Sequence, residues 1–247
     1  TCIPSVDNNK RVGFEIDYKG EREFYYPEQV MGVYFDKLKQ NWKKAGYDTR
    51  DVVVTVPDYF SAHERKAMID ALTIADLNCT SLVSESSAIA LNYGLFRRAQ
   101  FEDTKPRIVA FVDIGHATGS VFFASFTKNQ QKVISVTHER FCGAREFDYL
   151  IMEHVSNVFK QKYGSNPMNN PKCRMRMIDA IMKTRKILTA NREAPLNIEC
   201  LLDDEDLNYM LTRDEFEKII EPVLNKIRNL FITSITNATA EGKFNLA

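Results

Sequence analysis

The sequence has no excess of charge of either sign. Its 33 lysine and arginine residues balance 33 aspartate and glutamate residues. A chain without net charge has no net field to draw nucleic-acid phosphates or anionic lipid to its surface. We therefore expect neither a nucleic-acid partner nor a membrane partner, and any anionic ligand must be held by groups placed close to it.

Cysteine is scarce, and its spacing suits neither disulfides nor zinc. The five cysteines include no C-x-x-C pair, and the four histidines are scattered along the chain. An odd number of such cysteines argues against a disulfide framework and favours a reducing compartment. None of the histidines lies in a nucleophile motif with Ser or Cys, which argues against a hydrolase triad.

Long apolar runs are also missing. No run approaches the roughly 20 residues needed to cross a bilayer, and the first residues lack the charged-then-apolar order of a secretory signal. We therefore predict a cytoplasmic protein. The chain begins at Thr1 without an initiator methionine and stops at Ala247 after a polar tail, so we expect it to be a piece of a longer protein.

The first half of the sequence alternates between strand and helix patterns. Residues 52–56 are a β-branched run ended by Pro57, which predicts a strand buried on both faces. Another short strand at 82–83 leads into a helix over 85–93 that ends near Gly94. This order of strands and helices predicts an α/β layer.

Two further helices in this half have recognisable starts. Ser61 and Glu64 form a capping box for the helix that follows residue 57. Pro27 opens the other helix, since proline is favoured at the first helical position. We assign its packed face to five apolar residues: Val30, Val33, Tyr34, Leu38 and Trp42.

The pattern changes after a polar connector at 97–105. Residues 107–113 read as a buried strand, and strands at 121–126 and 133–137 follow, which predicts a β-meander. A new lobe therefore begins near residue 105.

The rest of the chain is mainly helical. Helical patterns cover 146–163 and 171–189, and a hairpin follows over 195–211. A second capping box at Thr212 and Glu215 opens the last helix, which Pro222 should kink or divide.

Asp113 ends a predicted strand and is followed by a glycine-containing turn. Successive N–H groups in such a turn can hold phosphate, and the carboxylate lies where water bound to Mg²⁺ needs an oxygen partner. From spacing alone, ordinary turn chemistry for this aspartate is the stronger interpretation.

Three other segments could bind anions or order water. A loop containing Gly143 runs into a helix N-terminus, and helix N-termini attract anions. Glu85 begins a helix directly after a strand, where it could orient water or metal or simply favour the helix dipole. Lys183, Arg185 and Lys186 lie within one helical turn, a cluster that is usually a solvated face.

Four motifs occur in order along nearly the whole chain: Val53-Val54-Thr55-Val56-Pro57, Ser84-Glu85-Ser86-Ser87-Ala88 with Leu91-Asn92-Tyr93-Gly94, the turn at Asp113, and Gly143-Ala144-Arg145-Glu146-Phe147-Asp148. In these motifs and their order, the chain resembles the actin-like nucleotide-binding domain of the heat shock protein 70 superfamily. It is most similar to the heat shock protein 110 branch, because His116 stands where typical members have a second glycine.

The resemblance implies an α/β fold of the actin-like ATPase (ribonuclease H-like) type, with two lobes, a nucleotide cleft, and missing parts at both ends. Its predicted divisions are the remainder of lobe I at 1–104 (peripheral subdomain 1–51, core subdomain 52–104) and lobe II at 105–247 (core 105–145, peripheral subdomain 146–222, return helix 223–247).

The resemblance also implies a site for ATP or ADP with Mg²⁺. Asp113 would organise the metal through water, and Glu85 with Asp113 would carry any hydrolysis. Pro57 and Arg65 match a relay that links nucleotide state to the substrate-binding domain. The expected nucleotide-binding residues are Asp113, Gly115, His116, Gly143, Ala144, Arg185, Lys186 and Thr189.

Several residues depart from the family pattern in ways that should weaken nucleotide handling. His116 and Ala144 replace glycines, Ser120 replaces a carboxylate, and Met182 replaces a glutamate that would bind the ribose. The family's first phosphate loop and its later Gly-Gly segment have no counterpart in this sequence. We therefore do not expect the chain by itself to hydrolyse ATP.

The function implied is that of a heat shock protein 110 type chaperone domain. It would act as a nucleotide-exchange factor and holdase partner of a heat shock protein 70 chaperone, docking through lobe II, with unfolded clients bound by domains outside this sequence. Two alternatives stay open: an ATP-hydrolysing folding chaperone of the heat shock protein 70 type, and a degenerate protein-binding module without nucleotide.

Overall fold

A computed structural model describes residues 2–7 and 10–240 of the chain. The chain divides into two compact units, Thr1–Gln100 and Phe101–Ala247. Both units combine helices with β-sheets, so the predicted α/β class is confirmed.

Unit 1 contains an antiparallel sheet and a parallel strand pair with helices packed against it. Strands β1, β2 and β3 form the antiparallel sheet, and β4 pairs in parallel with β5 through the connecting helix α2. The elements are β1 (Cys2–Val6), β2 (Val12–Tyr18), β3 (Glu21–Tyr25), α1 (Pro27–Lys44), β4 (Asp51–Val56), α2 (Ala62–Ile74), β5 (Asn78–Ser84) and α3 (Glu85–Arg97).

Strand β4 and helix α3 of unit 1 differ from their predictions. Strand β4 is not buried on both faces: Val52 and Val54 pack on the core, whereas Val53 is 62% exposed. Helices α1 and α2 pack against the side of the strand pair that carries Val52 and Val54, and Val53 lies on the opposite side. Helix α3 also continues through Gly94 to Arg97.

Helix α1 packs through only part of its predicted face. Phe35 is buried, and Leu38 and Trp42 pack beside it against α2. Val33 precedes Phe35 by two residues and therefore lies on the opposite side of the helix, where it is exposed. The predicted set of five residues therefore combines the packed side of α1 with its exposed side.

Unit 2 begins with the predicted β-meander, which is confirmed as an antiparallel sheet of order β6-β7-β8. Helix α6 packs on β7 and β8, and a second group of helices packs on the β9–β10 hairpin. The elements are β6 (Arg107–Ile114), β7 (Thr118–Phe126), β8 (Gln131–Arg140), α4 (Ala144–Tyr163), α5 (Pro171–Leu188), β9 (Glu193–Leu202), β10 (Glu205–Thr212) and α6 (Arg213–Ala240).

Two features of unit 2 differ from the predictions. Strand β6 is not buried, because it is an edge strand that α6 does not cover, and Val112 is 51% exposed. Of the two outcomes predicted for Pro222, a kink or a division of the last helix, division is wrong, because α6 is one helix from Arg213 to Ala240. Ile220 and Val223 on either side of the proline are both buried, so packing offsets the lost backbone hydrogen bond.

The main core of unit 2 lies between α4, α5 and the β9–β10 hairpin. Fully buried side chains from all four elements meet there: Ile151, Val155, Phe159, Met177, Ile181, Leu196 and Leu211. This packing holds α4 against α5, and the candidate site lies at the start of one helix and the end of the other.

Candidate nucleotide site

Asp113 is part of a row of polar side chains on the meander. The strand register pairs Asp113 on β6 with Ser120 on β7, and Ser120 with His138 on β8. Because cross-strand partners share one face of a sheet, these side chains line up beside the turn that follows β6. Asp113 itself is exposed.

The turn after β6 is held by the first residues of α4. The amides of Ala144 and Arg145 donate to the carbonyl oxygens of Gly115 (3.0 Å) and His116 (2.8 Å). Within the turn, the Gly115 amide donates to Thr118 O at 2.9 Å. In the described part of the chain, the amides of His116 and Ala117 have no hydrogen-bond partner. Two N–H groups at the centre of this turn are therefore open to a ligand.

Gly143 makes this contact between helix and turn possible. A Cβ atom at this position would lie 2.4 Å from the carbonyl oxygen of His116 and 2.6 Å from the amide nitrogen of Ala117. Both neighbours are backbone atoms, which cannot rotate away as a flexible side chain could. Only glycine therefore fits against the turn.

Asp148 lies one helical turn after Ala144 and is buried, with 3% of its surface exposed. The Nη2 group of Arg185 on α5 donates to its Oδ2 at 3.2 Å, and Nε lies 3.0 Å from Oδ1. The Nε contact is an ion pair without hydrogen-bond geometry. Burial raises the pKa of Asp148, although the charges of Arg185 and His116 act to lower it.

The predicted basic cluster on α5 is divided between different sides of the helix. Arg185 faces α4 and is paired with Asp148, while Lys186 and Thr189 are exposed near the end of the helix. Lys183 lies elsewhere, with Arg176 and other residues beside β9, along a groove of about 390 Å³.

Arg213 closes the end of α5 and was not identified from the sequence. Its Nη2 group contacts the carbonyl oxygens of Leu188 (2.6 Å), Asn191 (3.0 Å) and Thr189 (3.3 Å). These carbonyls lack helical partners, and a cation satisfies them well. No sequence signal points to this contact, because Arg213 begins a different helix.

The site residues of unit 1 lie around the end of β4. The Phe60 amide donates to Pro57 O, and Arg65 Nε donates to Phe60 O, both at 3.1 Å. Pro57 and Arg65 are therefore joined through the backbone of Phe60, which the sequence did not indicate.

A second contact links the same loop to α3. The carboxylate of Asp58 accepts hydrogen bonds from the amide and the hydroxyl of Ser86, which is buried. Ser86 follows Glu85, the exposed first residue of α3. Asp58 was missed by sequence reasoning, and only its place after a strand-ending proline could have drawn attention to it.

The predicted residues thus form one group in each unit. Asp113, Gly115, His116, Gly143, Ala144 and Arg185 meet around the start of α4, with Lys186 and Thr189 further along α5, whereas Pro57, Arg65 and Glu85 lie around the end of β4.

The residues of unit 2 fit a phosphate with hydrated Mg²⁺ better than a tightly held metal. Among the described residues, no cluster of three or more His, Cys, Asp or Glu side chains could hold a metal ion directly. Mg²⁺ commonly keeps several waters and uses one or two carboxylates, so Asp113 beside two open amides is a suitable donor set.

Two other expectations concern cysteine and membranes. Four cysteines within the described residues, Cys79, Cys142, Cys173 and Cys200, are free thiols. In the same part of the chain, no helix is long and apolar enough to cross a membrane.

Comparison with known proteins gives a consistent result. The family model described as Hsp70 protein matches residues 4–243. The chain is 34% identical to a heat shock protein homolog of Saccharomyces cerevisiae over 241 residues, which are 96% of the chain and 34% of that protein. It is 34% identical to heat shock protein 110 of Caenorhabditis elegans over 229 residues, which are 91% of the chain and 30% of that protein.

A plant relative is similar to the same extent. Heat shock 70 kDa protein 14 of Arabidopsis thaliana is 36% identical over 223 residues, which are 90% of the chain and 27% of that protein. The chain therefore spans about a third of the length of the curated relatives it matches.

Proposed function

The chain belongs to the Hsp70 protein family, and from this premise we propose that it is an ATP- and ADP-binding domain of heat shock protein 110 type. Its fold is the actin-like ATPase fold of the family's nucleotide-binding domain. An Hsp70 family domain implies nucleotide binding and a chaperone function. Which residues bind the nucleotide, and which chaperone is the partner, are our proposal.

The observation that carries this proposal is the pair of open amides in the turn after Asp113. The N–H group of His116 belongs to the same peptide unit as the carbonyl of Gly115, which accepts a hydrogen bond from Ala144. Likewise, the N–H group of Ala117 belongs to the same peptide unit as the carbonyl of His116, which accepts a hydrogen bond from the amide of Arg145. A peptide unit that accepts a hydrogen bond at its oxygen becomes a stronger donor at its nitrogen. The start of α4 therefore strengthens the two donors that a phosphate would use.

Asp113 and Glu85 have separate roles in this proposal. Asp113 would hold the hydration shell of Mg²⁺ beside the phosphates, and the metal would supply charge neutralisation there. Glu85, at the first position of α3, would orient water for any hydrolysis. Lys186 and Thr189 are exposed near the end of α5, where they are available to the nucleoside.

Gly143 and Ala144 act through the turn in this proposal. The Ala144 amide is already used by Gly115, and Gly143 packs on the backbone of His116 and Ala117. They therefore help to bind nucleotide by holding the turn in shape.

The substitutions at the site favour exchange over hydrolysis. Ser120 lies opposite Asp113, where a second carboxylate would increase the capacity for cations, and His116 places a side chain in a glycine position. We propose that nucleotide stabilises one state of the domain, which then docks through residues 105–247 on a heat shock protein 70 chaperone in the cytosol and releases its ADP. Clients would bind to other parts of the longer protein.

Two other functions are supported by particular residues. Met182, where the family resemblance implies a ribose-binding glutamate, and Ala144 favour a protein-binding module without nucleotide. Glu85 together with Asp113 would suit an ATP-hydrolysing folding chaperone. Single-turnover ATP hydrolysis by the full-length protein decides the second alternative, since an exchange factor requires no working cycle of hydrolysis.

Nucleotide binding is tested by adding ADP with Mg²⁺ to the chain. At a ligand concentration of a hundred times the dissociation constant, we expect an increase of about 2.7 kcal/mol in the free energy of unfolding. Asp113→Asn should abolish the dependence of ADP affinity on Mg²⁺, measured by calorimetry with and without EDTA. The matched control is Asp70→Asn, which removes an exposed carboxylate paired with Lys66 on α2. A chain whose stability and heat signal do not respond to ADP would support the module without nucleotide.

The exchange role has a separate test. The full-length protein with ATP should accelerate release of labelled ADP from a heat shock protein 70 chaperone, and the Asp113→Asn variant should accelerate it less. If ADP release keeps its uncatalysed rate while the protein binds nucleotide normally, the exchange role is wrong and nucleotide binding is unaffected.

A further inference from the structure

We propose that Asp148 is a positioning residue of the nucleotide site, which fixes the guanidinium of Arg185 in one orientation at the end of α5 for use by the bound nucleotide. This inference rests on the proposed nucleotide-binding function. It assigns a role to a carboxylate that the motif at 143–148 contains but that no sequence argument had singled out.

The contact between the two side chains is close and sheltered from water. Asp148 is 3% exposed, and both of its carboxylate oxygens face Arg185, at 3.2 Å from Nη2 and 3.0 Å from Nε. About a quarter of the Arg185 side chain is exposed, so the guanidinium is only partly enclosed. The carboxylate therefore holds one edge of the guanidinium while the rest of the group remains accessible.

The remaining donors of Arg185 have a fixed direction as a result. A guanidinium is planar and carries five N–H groups, and two of its nitrogens face Asp148. The two hydrogens of Nη1 and the second hydrogen of Nη2 stay available. Because the group is planar, holding one edge fixes the directions of these three donors, so a ligand need not order a mobile side chain.

Asp148 is also joined to the phosphate turn through one turn of α4. Ala144 precedes it by one helical turn, on the same face, and donates its amide to Gly115. The charge of His116, in the turn, acts to lower the pKa of Asp148, which burial raises. The turn, the start of α4 and the end of α5 therefore meet around this one side chain.

Stability alone does not explain a carboxylate at this position. A buried ion pair gains little over well-packed apolar side chains of the same size, because both charges must be removed from water. Here the Nε and Oδ1 atoms are buried and lack a well-aligned hydrogen bond, so the pair is not an optimised stabilising contact. A role in orienting Arg185 gives the pair a function.

Two models of Asp148 predict opposite effects on ADP binding. If Asp148 acted only through its charge, Asp148→Asn would remove a repulsion from the anionic nucleotide and tighten binding. If it positions Arg185, the same change frees the guanidinium and weakens binding. The sign of the change in affinity therefore separates positioning from a simple electrostatic effect.

The experiment measures the affinity of the chain for ADP with Mg²⁺ in four forms: unaltered, Asp148→Asn, Arg185→Gln and the double variant. We expect each single change to weaken binding by about tenfold, and the double variant to bind no more weakly than Arg185→Gln alone. Arg185→Lys keeps the positive charge but loses the planar group, and we expect it to bind as weakly as Arg185→Gln. Asp70→Asn, which removes an exposed carboxylate on α2, is the matched control.

The outcomes are distinct. Equal or tighter binding by Asp148→Asn, or full additivity in the double variant, overturns the positioning role while leaving the proposed function intact. If Asp148→Asn does not fold, as judged by circular dichroism, Arg185→Lys decides, and wild-type affinity in that variant also overturns it. An unaltered chain that binds no ADP overturns the proposed function, and this inference with it.

Discussion

Gly143 shows most directly how a single residue shapes the site. Its backbone lies against the peptide between His116 and Ala117, closer than any residue with a Cβ atom could approach. Family resemblance suggests a contact with nucleotide at this position. The structure supplies a packing reason for glycine that does not depend on ligand.

Gly143→Ala should therefore destabilise the chain and displace the turn. The new methyl group meets backbone atoms, so we expect a loss of about 1–3 kcal/mol in the free energy of unfolding, as for other overpacked sites. Urea denaturation measures the loss. Gly115→Ala is the matched control for stability, since a Cβ atom there would lie at an ordinary 3.5 Å from Thr118 O. Equal losses in both variants would show that the close contact of Gly143 does not matter.

The residues that sequence reasoning missed share one property. Asp58, Asp148 and Arg213 each bind a partner on another element: Ser86, Arg185 and the end of α5, respectively. Local sequence carries no information about such partners, because they depend on how the chain folds in three dimensions. Asp113 and Gly143 could be identified because their roles follow from a strand end and a turn close by.

At the scale of elements, local rules were reliable and packed faces were not. The capping box of Ser61 and Glu64 is confirmed in both directions, with hydrogen bonds of 3.3 and 2.7 Å. At the second predicted box, the Glu215 amide does bond Thr212, but the Glu215 side chain contacts Tyr209 and His154 on other elements. Tertiary partners thus replaced the local contact.

Arg213 supports the end of α5, and Arg213→Ala should loosen it. Three carbonyl oxygens would lose a charged donor, and we expect a loss of about 2 kcal/mol in the free energy of unfolding. Hydrogen exchange should become faster in the last turn of α5. Arg192→Ala, in the same loop, removes an exposed arginine and serves as the control. Unchanged exchange at 185–189 would contradict the assigned capping role.

At the scale of the whole molecule, the pKa values of four groups that titrate in the alkaline range are shifted in the same direction. Hydrogen bonds to Glu23 and Asp7 raise the pKa values of Tyr25 and Tyr26, and a hydrogen bond to Tyr163 raises that of Lys162. Burial, followed by a hydrogen bond to Glu215, raises the pKa of Tyr209. These groups lie in both units, and in each case the folded chain keeps a proton that the unfolded chain gives up more readily.

The free energy of unfolding should therefore fall as the pH rises above about 10, where unfolded tyrosines lose their protons. Below that pH these groups are protonated in both the folded and the unfolded state, and their contribution to the free energy of unfolding is fully present. Above it the unfolded state binds fewer protons than the folded state, so the free energy of unfolding decreases. Tyr209→Phe should make this decrease shallower, because one raised group is removed, even though the variant starts from a lower stability after losing its bond to Glu215. Urea denaturation between pH 8 and 11 measures the slope, with Tyr47→Phe, a change at an exposed tyrosine, as the control. Identical slopes for Tyr209→Phe and the unaltered chain would show that Tyr209 does not contribute to the alkaline loss.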